Sequence, residues 1–269
     1  MDKWQDDIAL LGALADAARA ASLPHFRNGI TANNKAKQGF DPVTAADMAV
    51  EDAVRALLAE HRPEDGIVGE EGEDKSSRSG RHWIIDPIDG TRAFLTGLPS
   101  WCVLIALADE TGPVLSVIDQ PHIKERFFGL SAGDTRTAWL EHDGRRRSLA
   151  TRPGASLKTA LGETTDAFLF KGLEWEAFQA VRAQARLFRY GLDAYGYAMV
   201  AAGGLDFVME SELKAWDVAA LIPVVEGAGG VVTDWAGNRP QGGGQILASA
   251  HPALHAEILP LLAAAAQKT

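Results

Sequence analysis

Cysteine is all but missing from this chain, which has a single thiol in 269 residues. Cys102 therefore cannot close an internal disulfide, and every Cys-based zinc site is excluded. It sits in the apolar run WCVLIALA, where a buried, inert thiol is the expected state. The seven histidines (25, 61, 82, 122, 142, 251, 255) show no HExxH or other metal-ligand spacing. No apolar run approaches the ~18 residues that a membrane helix needs. The N-terminal stretch MDKWQDDIAL is too acidic for a signal peptide, so a cytoplasmic protein with no membrane partner is expected. Positive charge is also short, with 26 Lys+Arg against 36 Asp+Glu and a net charge of −10. Nucleic acid is not an expected partner, because sequence-independent binding relies on Lys and Arg neutralising phosphates. The same deficit would repel an anionic ligand unless cations sat in its site.

What is present is ordinary for a soluble globular chain: 46% hydrophobic and 23% charged residues. The length can bury a sizeable core, as one large domain or two intimately packed halves. Apolar positions Trp4, Ile8, Leu11, Ala15 and Ala18 predict a helix over 4–22, ended near Pro24. The polar stretch 30–41 reads as an exposed loop whose Lys35 and Lys37 could close over a site. A second helix is expected over 45–61, and a short strand over 67–71 running into acids. Strand patterns at 83–86, 101–108, 114–119, 126–130 and 136–141, separated by Gly- or Asp-containing turns, predict an antiparallel sheet. Arg145, Arg146 and Arg147 read as a charged strand edge that blocks edge pairing.

Beyond about residue 160 the rhythm alternates: helices at 173–185, 193–203 and 217–228, and strands at 186–190, 206–210 and 231–234. That alternation reads as α/β. Pro223 should kink its helix, and Pro260 falls inside a last helix over 252–266. No repeat or low-complexity linker is seen. The expected organisation is an N-terminal α+β half, 1–150, and a C-terminal α/β half, 151–269, forming one compact unit.

The most informative segment is WIIDPIDGTRAFLT, Trp83–Thr96. An apolar run stops at Asp86 and Asp89 and is followed by Gly90 and Thr91, which gathers carboxylates, a backbone carbonyl and a hydroxyl on one turn. Hard divalent cations favour such oxygen clusters, and Mg²⁺ typically combines few carboxylates with waters and substrate phosphate. Read alone, the same residues are turn formers. Glu70 ends IVGEE, where it could equally be a solvated acid among Glu71, Glu73 and Asp74. Asp217 opens an apolar helix and alone reads as a first-turn acid favoured by the helix dipole. Thr44-Ala45-Ala46-Asp47 has the form of a capping box.

Together the segments DPVTAADMAVE (41–51), GEE (69–71), WIIDPIDGTRAF (83–94) and AWDVAALIPVVEGAGGVVTDWAG (215–237) resemble the inositol monophosphatase superfamily, in its order and spacing and over most of the chain. The resemblance implies a layered αβαβα sandwich, a homodimer, and a Mg²⁺-dependent, lithium-sensitive hydrolase of small phosphate monoesters. It implies that Glu70, Asp86 and the Ile88 carbonyl hold a first metal, and that Asp86, Asp89 and Asp217 hold a second. A third ion near Glu70, or Mn²⁺ in place of Mg²⁺, is left open. Two cations ~3.5–4 Å apart can clamp the attacking and leaving oxygens of phosphoryl transfer. By the same resemblance Thr91 orients the nucleophilic water and Asp47 helps accept its proton, with no covalent intermediate. Gly90 and Thr91 would offer helix-start N–H groups to phosphate.

Substrate choice rests on fewer residues. Asp193, in Arg189–Tyr195, puts a carboxylate at the head of an otherwise apolar helix, where it reads equally as a cap. With Glu210 it would suit a cationic amine or imidazolium better than a neutral polyol. These acids, with GTRAFLTGLPSWCVLIAL and VLSVIDQPHIKERFFG, resemble the histidinol-phosphatase branch, which implies L-histidinol phosphate as substrate and a place in histidine biosynthesis. Arg189 is a candidate phosphate or subunit contact. His122 and Lys124 receive no role. Inositol-1-phosphate, fructose-1,6-bisphosphate and nucleotide 3′-phosphates are the rival substrates. A non-catalytic regulatory homologue is the rival class, although all five acids and Thr91 are in place.

Overall fold

The computed structural model describes residues 2–29, 33–34 and 42–266. Apart from Asn33 and Asn34, the stretch read as a closing loop, including Lys35 and Lys37, lies outside the described residues. Two helices open the fold, α1 (Gln5–Ser22) and α2 (Ala45–His61), with the paired segments β1 (Asn33–Asn34) and β2 (Pro42–Val43) between them. A seven-stranded sheet follows, in sequential order: β3 (Gly66–Gly69), β4 (His82–Asp89), β5 (Cys102–Asp109), β6 (Gly112–Gln120), β7 (Glu125–Ala132), β8 (Thr135–His142) and β9 (Arg145–Ser148). Only β3 and β4 pair in parallel; the rest is the antiparallel meander that the alternating pattern predicts. The three arginines lie exposed on the edge strand β9.

Both faces of this sheet are covered, which is why its strands read as nearly unbroken apolar runs. In β5, Val103, Ile105 and Leu107 join Leu11, Leu14, Val50 and Val54 of α1 and α2 in one core. Cys102, Leu104 and Ala106, on the opposite face, join a second core with the later helices. Each valine, leucine or isoleucine among them, fully buried, contributes roughly 1.5–3 kcal/mol.

The second sheet has five strands, in the order β11-β10-β12-β14-β13. They are β10 (Leu161–Thr164), β11 (Leu187–Tyr190), β12 (Phe207–Leu213), β13 (Val231–Asp234) and β14 (Gly244–Ser249). Helices α5 (Ala194–Ala201), α6 (Ala215–Ala219) and α7 (Leu221–Gly227) lie between the sheets and share their core. On the outer face, α4 (Leu173–Arg182) and α8 (Pro252–Leu262) close a third core around Phe178, Phe207, Met209, Trp235 and Leu247. With α3 (Thr91–Thr96) at the end of β4, the layers run αβαβα.

Two features depart from the sequence reading. The helix expected over 217–228 starts earlier and breaks at Ala220. Pro223 cannot donate to the Ala219 carbonyl, so it is accommodated in the first turn of α7, where no donor is required. Strands β10 and β14 were not expected. Helix α7 also lies unusually close to the first sheet. A Cβ on Gly129 would collide with the Pro223–Val224 main chain, and one on Gly227 with the Thr137 carbonyl.

Candidate active site

The two sheets and the helices between them bring the candidate acids to one cleft of about 250 Å³. Local structure places each acid. Thr44 caps α2, its main-chain N–H and hydroxyl both donating to the Asp47 carboxylate, at 2.8 and 2.6 Å. The capping box read in the sequence is present, and it fixes a carboxylate that is 1% exposed. Glu70 follows immediately after the last residue of β3.

Asp86 and Asp89, three apart on a strand, would ordinarily face opposite ways. The β4–β5 register shifts between them: Asp86 pairs with Leu104 and Asp89 with Cys102. An irregularity of this kind re-aims a side chain. Asp86, Asp89 and Asp217 consequently offer one oxygen each, all within 4.8 Å of one another. Asp217 reaches the cluster from the first turn of α6, where it accepts the Lys214 N–H at 2.6 Å. The Ile88 carbonyl accepts the Thr91 hydroxyl at 3.1 Å. Gly90, at φ 78°, makes the left-handed turn into α3 that a side chain would disfavour.

The same cleft is also lined by Asp193 and Glu210. Glu210 is fixed by the Thr165 N–H and the Tyr197 hydroxyl, each at 2.9 Å. Asp193 heads α5 but its side chain makes no capping bond, and its backbone holds φ at 50°, an uncommon conformation for a non-glycine residue. The neighbouring Ala194 N–H donates to Asp89 at 2.7 Å. Asp193 lies so close to Gly90 that a Cβ there would come within 2.9 Å of its carboxylate.

Burial and mutual repulsion raise the pKa values of these acids. Burial, then Glu70, Asp89, Asp217 and Asp47, push Asp86 well above the usual carboxylate range. Burial, then Asp193 and Asp217, do the same to Asp89. Asp193 is raised to about 7 by burial and Glu210. Asp86 Oδ1 is buried with no hydrogen-bond partner. A hard divalent cation fits this donor set: it would neutralise the repulsion and coordinate the lone oxygen.

The structure thus gathers Glu70, Asp86, Ile88, Asp89, Gly90, Thr91, Asp193, Glu210 and Asp217 on one cleft, with Asp47 close enough to act on Asp86. Arg189 is not brought there; it is exposed on β11. His122 packs edge-on against Phe26, and burial pushes the Cys102 thiol well up, consistent with an inert cysteine. The sequence reading missed Arg92, Thr165, Leu169 and Leu213, which also line the cleft. Arg92 follows Thr91 directly and was legible; the other three arrive from the second half of the chain without a local signal.

Comparison with known proteins agrees with this geometry. Residues 4–267 match the model of the inositol monophosphatase family. A histidinol-phosphatase of Mycobacterium tuberculosis is 36% identical over 261 residues, covering 94% of this chain and 96% of that one. An inositol-1-monophosphatase of Rhizobium meliloti is 34% identical over 212 residues, covering 77% and 75%. The solved structure of an inositol monophosphatase from Zymomonas mobilis superposes with a TM-score of 0.83 at 38% identity, covering 96% of this chain and 98% of that one.

Proposed function

The chain belongs to the inositol monophosphatase family, and on that premise we propose that its carboxylate cleft hydrolyses L-histidinol phosphate to L-histidinol and phosphate with Mg²⁺. The observation that carries the reading is the meeting of Asp86, Asp89 and Asp217 within 4.8 Å, in a cleft that Asp193 and Glu210 also line. Glu70, Asp86, the Ile88 carbonyl, Asp89 and Asp217 are the residues that would hold Mg²⁺, or Mn²⁺ in its place. When bound, the cations supply the positive charge that an acidic cleft needs to accept a phosphate dianion and to stabilise the charge developing in transfer.

The remaining roles fall to the chain itself. Thr91, anchored through its hydroxyl to Ile88, orients the attacking water. Asp47, held by its cap, accepts the proton by way of that hydroxyl. Gly90 leaves room for the substrate-facing carboxylate of Asp193. Asp193 and Glu210 pair with the ammonium of the leaving alcohol, a charge-assisted contact that a neutral polyol cannot make.

Because Asp217 comes from the second half of the chain, 1–150 and 151–269 act as one catalytic unit in this reading. A homodimer is part of the same proposal, and Phe168, Leu173, Leu187 and Tyr190 are exposed apolar residues of the single chain. No helix among the described residues is long and apolar enough to cross a membrane. Phosphate release with Mg²⁺ from histidinol phosphate, inositol-1-phosphate and an aryl phosphate tests the assignment. A clear preference for histidinol phosphate, abolished by EDTA, is expected; a preference for inositol phosphate would refute the substrate and retain the family chemistry.

A further inference from the structure

One helical turn beyond Asp47, on the same side of α2, lies Glu51, a carboxylate only 2% exposed that does not itself line the cleft. A carboxylate so buried needs hydrogen-bond partners, and its partners are specific. Oε2 accepts the Glu71 N–H at 2.9 Å and Oε1 the Gly72 N–H at 2.8 Å. Arg55, four residues on, donates Nε to Oε1 at 2.7 Å and Nη1 to the Glu73 carbonyl at 3.0 Å. The chain from 69 to 73 is thereby wrapped around one side chain of α2.

The wrapping is tight enough to dictate residue type. A Cβ on Gly69 would collide with the Glu51 carboxylate and Arg55, and one on Gly72 would lie 2.8 Å from Glu51 Oε1. The residue enclosed by these contacts is Glu70, whose own side chain lines the cleft. Glu51 therefore fixes the main chain on the C-terminal side of Glu70, while Gly69, at the end of β3, fixes the other side.

We propose that Glu51 is a positioning residue: by clamping the 69–73 loop to the helix that carries Asp47, it sets the place of Glu70 and so the divalent-cation affinity of the cleft. The inference rests on the reading of that cleft as a metal-dependent phosphatase site. A group that orients a metal ligand without touching the metal typically controls affinity by 10–100-fold.

Glutamine is the informative replacement. The two loop amides bind different oxygens of Glu51, so the amide group of Glu51→Gln satisfies one and sets a donor against the other. Mg²⁺ and Mn²⁺ titrated calorimetrically into the metal-free full chain should show a Kd raised about 10–100-fold in this variant. Aryl phosphate hydrolysis should need correspondingly more Mg²⁺, while the rate at saturating Mg²⁺ falls by less. Asp65→Asn is the stability control, since it removes part of a buried acid bound to Trp83 and Ser79, residues outside the cleft. It should lower Tm and leave metal affinity unchanged. Gly72→Ala, which crowds the same clamp from the other side, reads the effect if Glu51→Gln does not fold. Unchanged metal affinity in a folded Glu51→Gln or Gly72→Ala protein overturns the positioning role and leaves the phosphatase reading intact. A wild-type chain that binds neither metal and releases no phosphate overturns the phosphatase reading, and this inference with it.

Discussion

Replacing Asp86 by asparagine should make the metal-free protein more stable while ending its response to metal. Asp86, Asp89 and Asp217 present oxygens within 4.8 Å of one another. At that separation and an effective dielectric of about 20, two unit charges repel by about 3.5 kcal/mol. Protons taken up by the cluster relieve part of this, so removing the central acid is expected to return about 1–3 kcal/mol. Asparagine has nearly the same shape, and Asp86 Oδ1 has no hydrogen-bond partner to lose. For a chain of this size each kcal/mol moves Tm by about 2–4 °C, so Asp86→Asn in EDTA should melt several degrees above wild type. Saturating Mg²⁺ stabilises whichever protein binds it, by mass action. Wild type should therefore overtake the variant when Mg²⁺ is added, and the variant should release no phosphate. Scanning calorimetry with EDTA and with Mg²⁺ gives both numbers. A variant less stable than wild type in EDTA would refute the repulsion argument; one that still gains Tm from Mg²⁺ would refute the role of Asp86 in holding metal.

Other outcomes follow from individual contacts. Asp193→Asn should raise KM for histidinol phosphate about 10-fold or more, the worth of a charged hydrogen bond, and leave aryl phosphate hydrolysis within a few-fold; equal losses on both would make Asp193 structural. Asp47→Asn should lower kcat by about 10²–10⁴, the usual contribution of a proton acceptor, with an unchanged circular dichroism spectrum; a rate near wild type would remove Asp47 from the chemistry. His255 bonds Ser249 and Thr233, and burial pulls its pKa down from 6.5 to about 4. Between those values the unfolded chain binds the extra proton, so its contribution is present above pH ~6.5 and is lost as pH falls towards ~4, by about 3 kcal/mol at most. Denaturant titrations across that window should show a shallower slope in His255→Gln, and an identical slope would count against the assignment.

The fold was largely readable where both sheet faces are buried. In β4 to β8 long apolar runs alternate between two cores, so their boundaries show in the sequence. Strand β10 escaped notice because it is only four residues long, and β14 because the run of Gly242, Gly243 and Gly244 at its start reads as loop. The break at Ala220 was half visible: Pro223 announced a disturbance, but its accommodation in a first turn moved the break upstream. Candidate metal-holding acids were legible because they cluster in short segments. Residues that reach the cleft from the second half of the chain, such as Thr165 and Leu169, carry no local mark. The register shift that turns Asp86 and Asp89 the same way depends on pairing with β5, which no local pattern encodes.

The contact of α7 with the first sheet has a bearing on how this site tolerates change. At Gly129 and Gly227 main chain meets main chain, with no compressible side chain between. The spacing of Asp217, just upstream on α6, from the acids of β4 is therefore gauged by peptide geometry rather than by the fit of interchangeable apolar groups. Core residues around it can drift among shapes of similar volume and leave the gauge unaltered. A single methyl group at either glycine would act as a shim, separating the halves of the ligand set without touching any member of it.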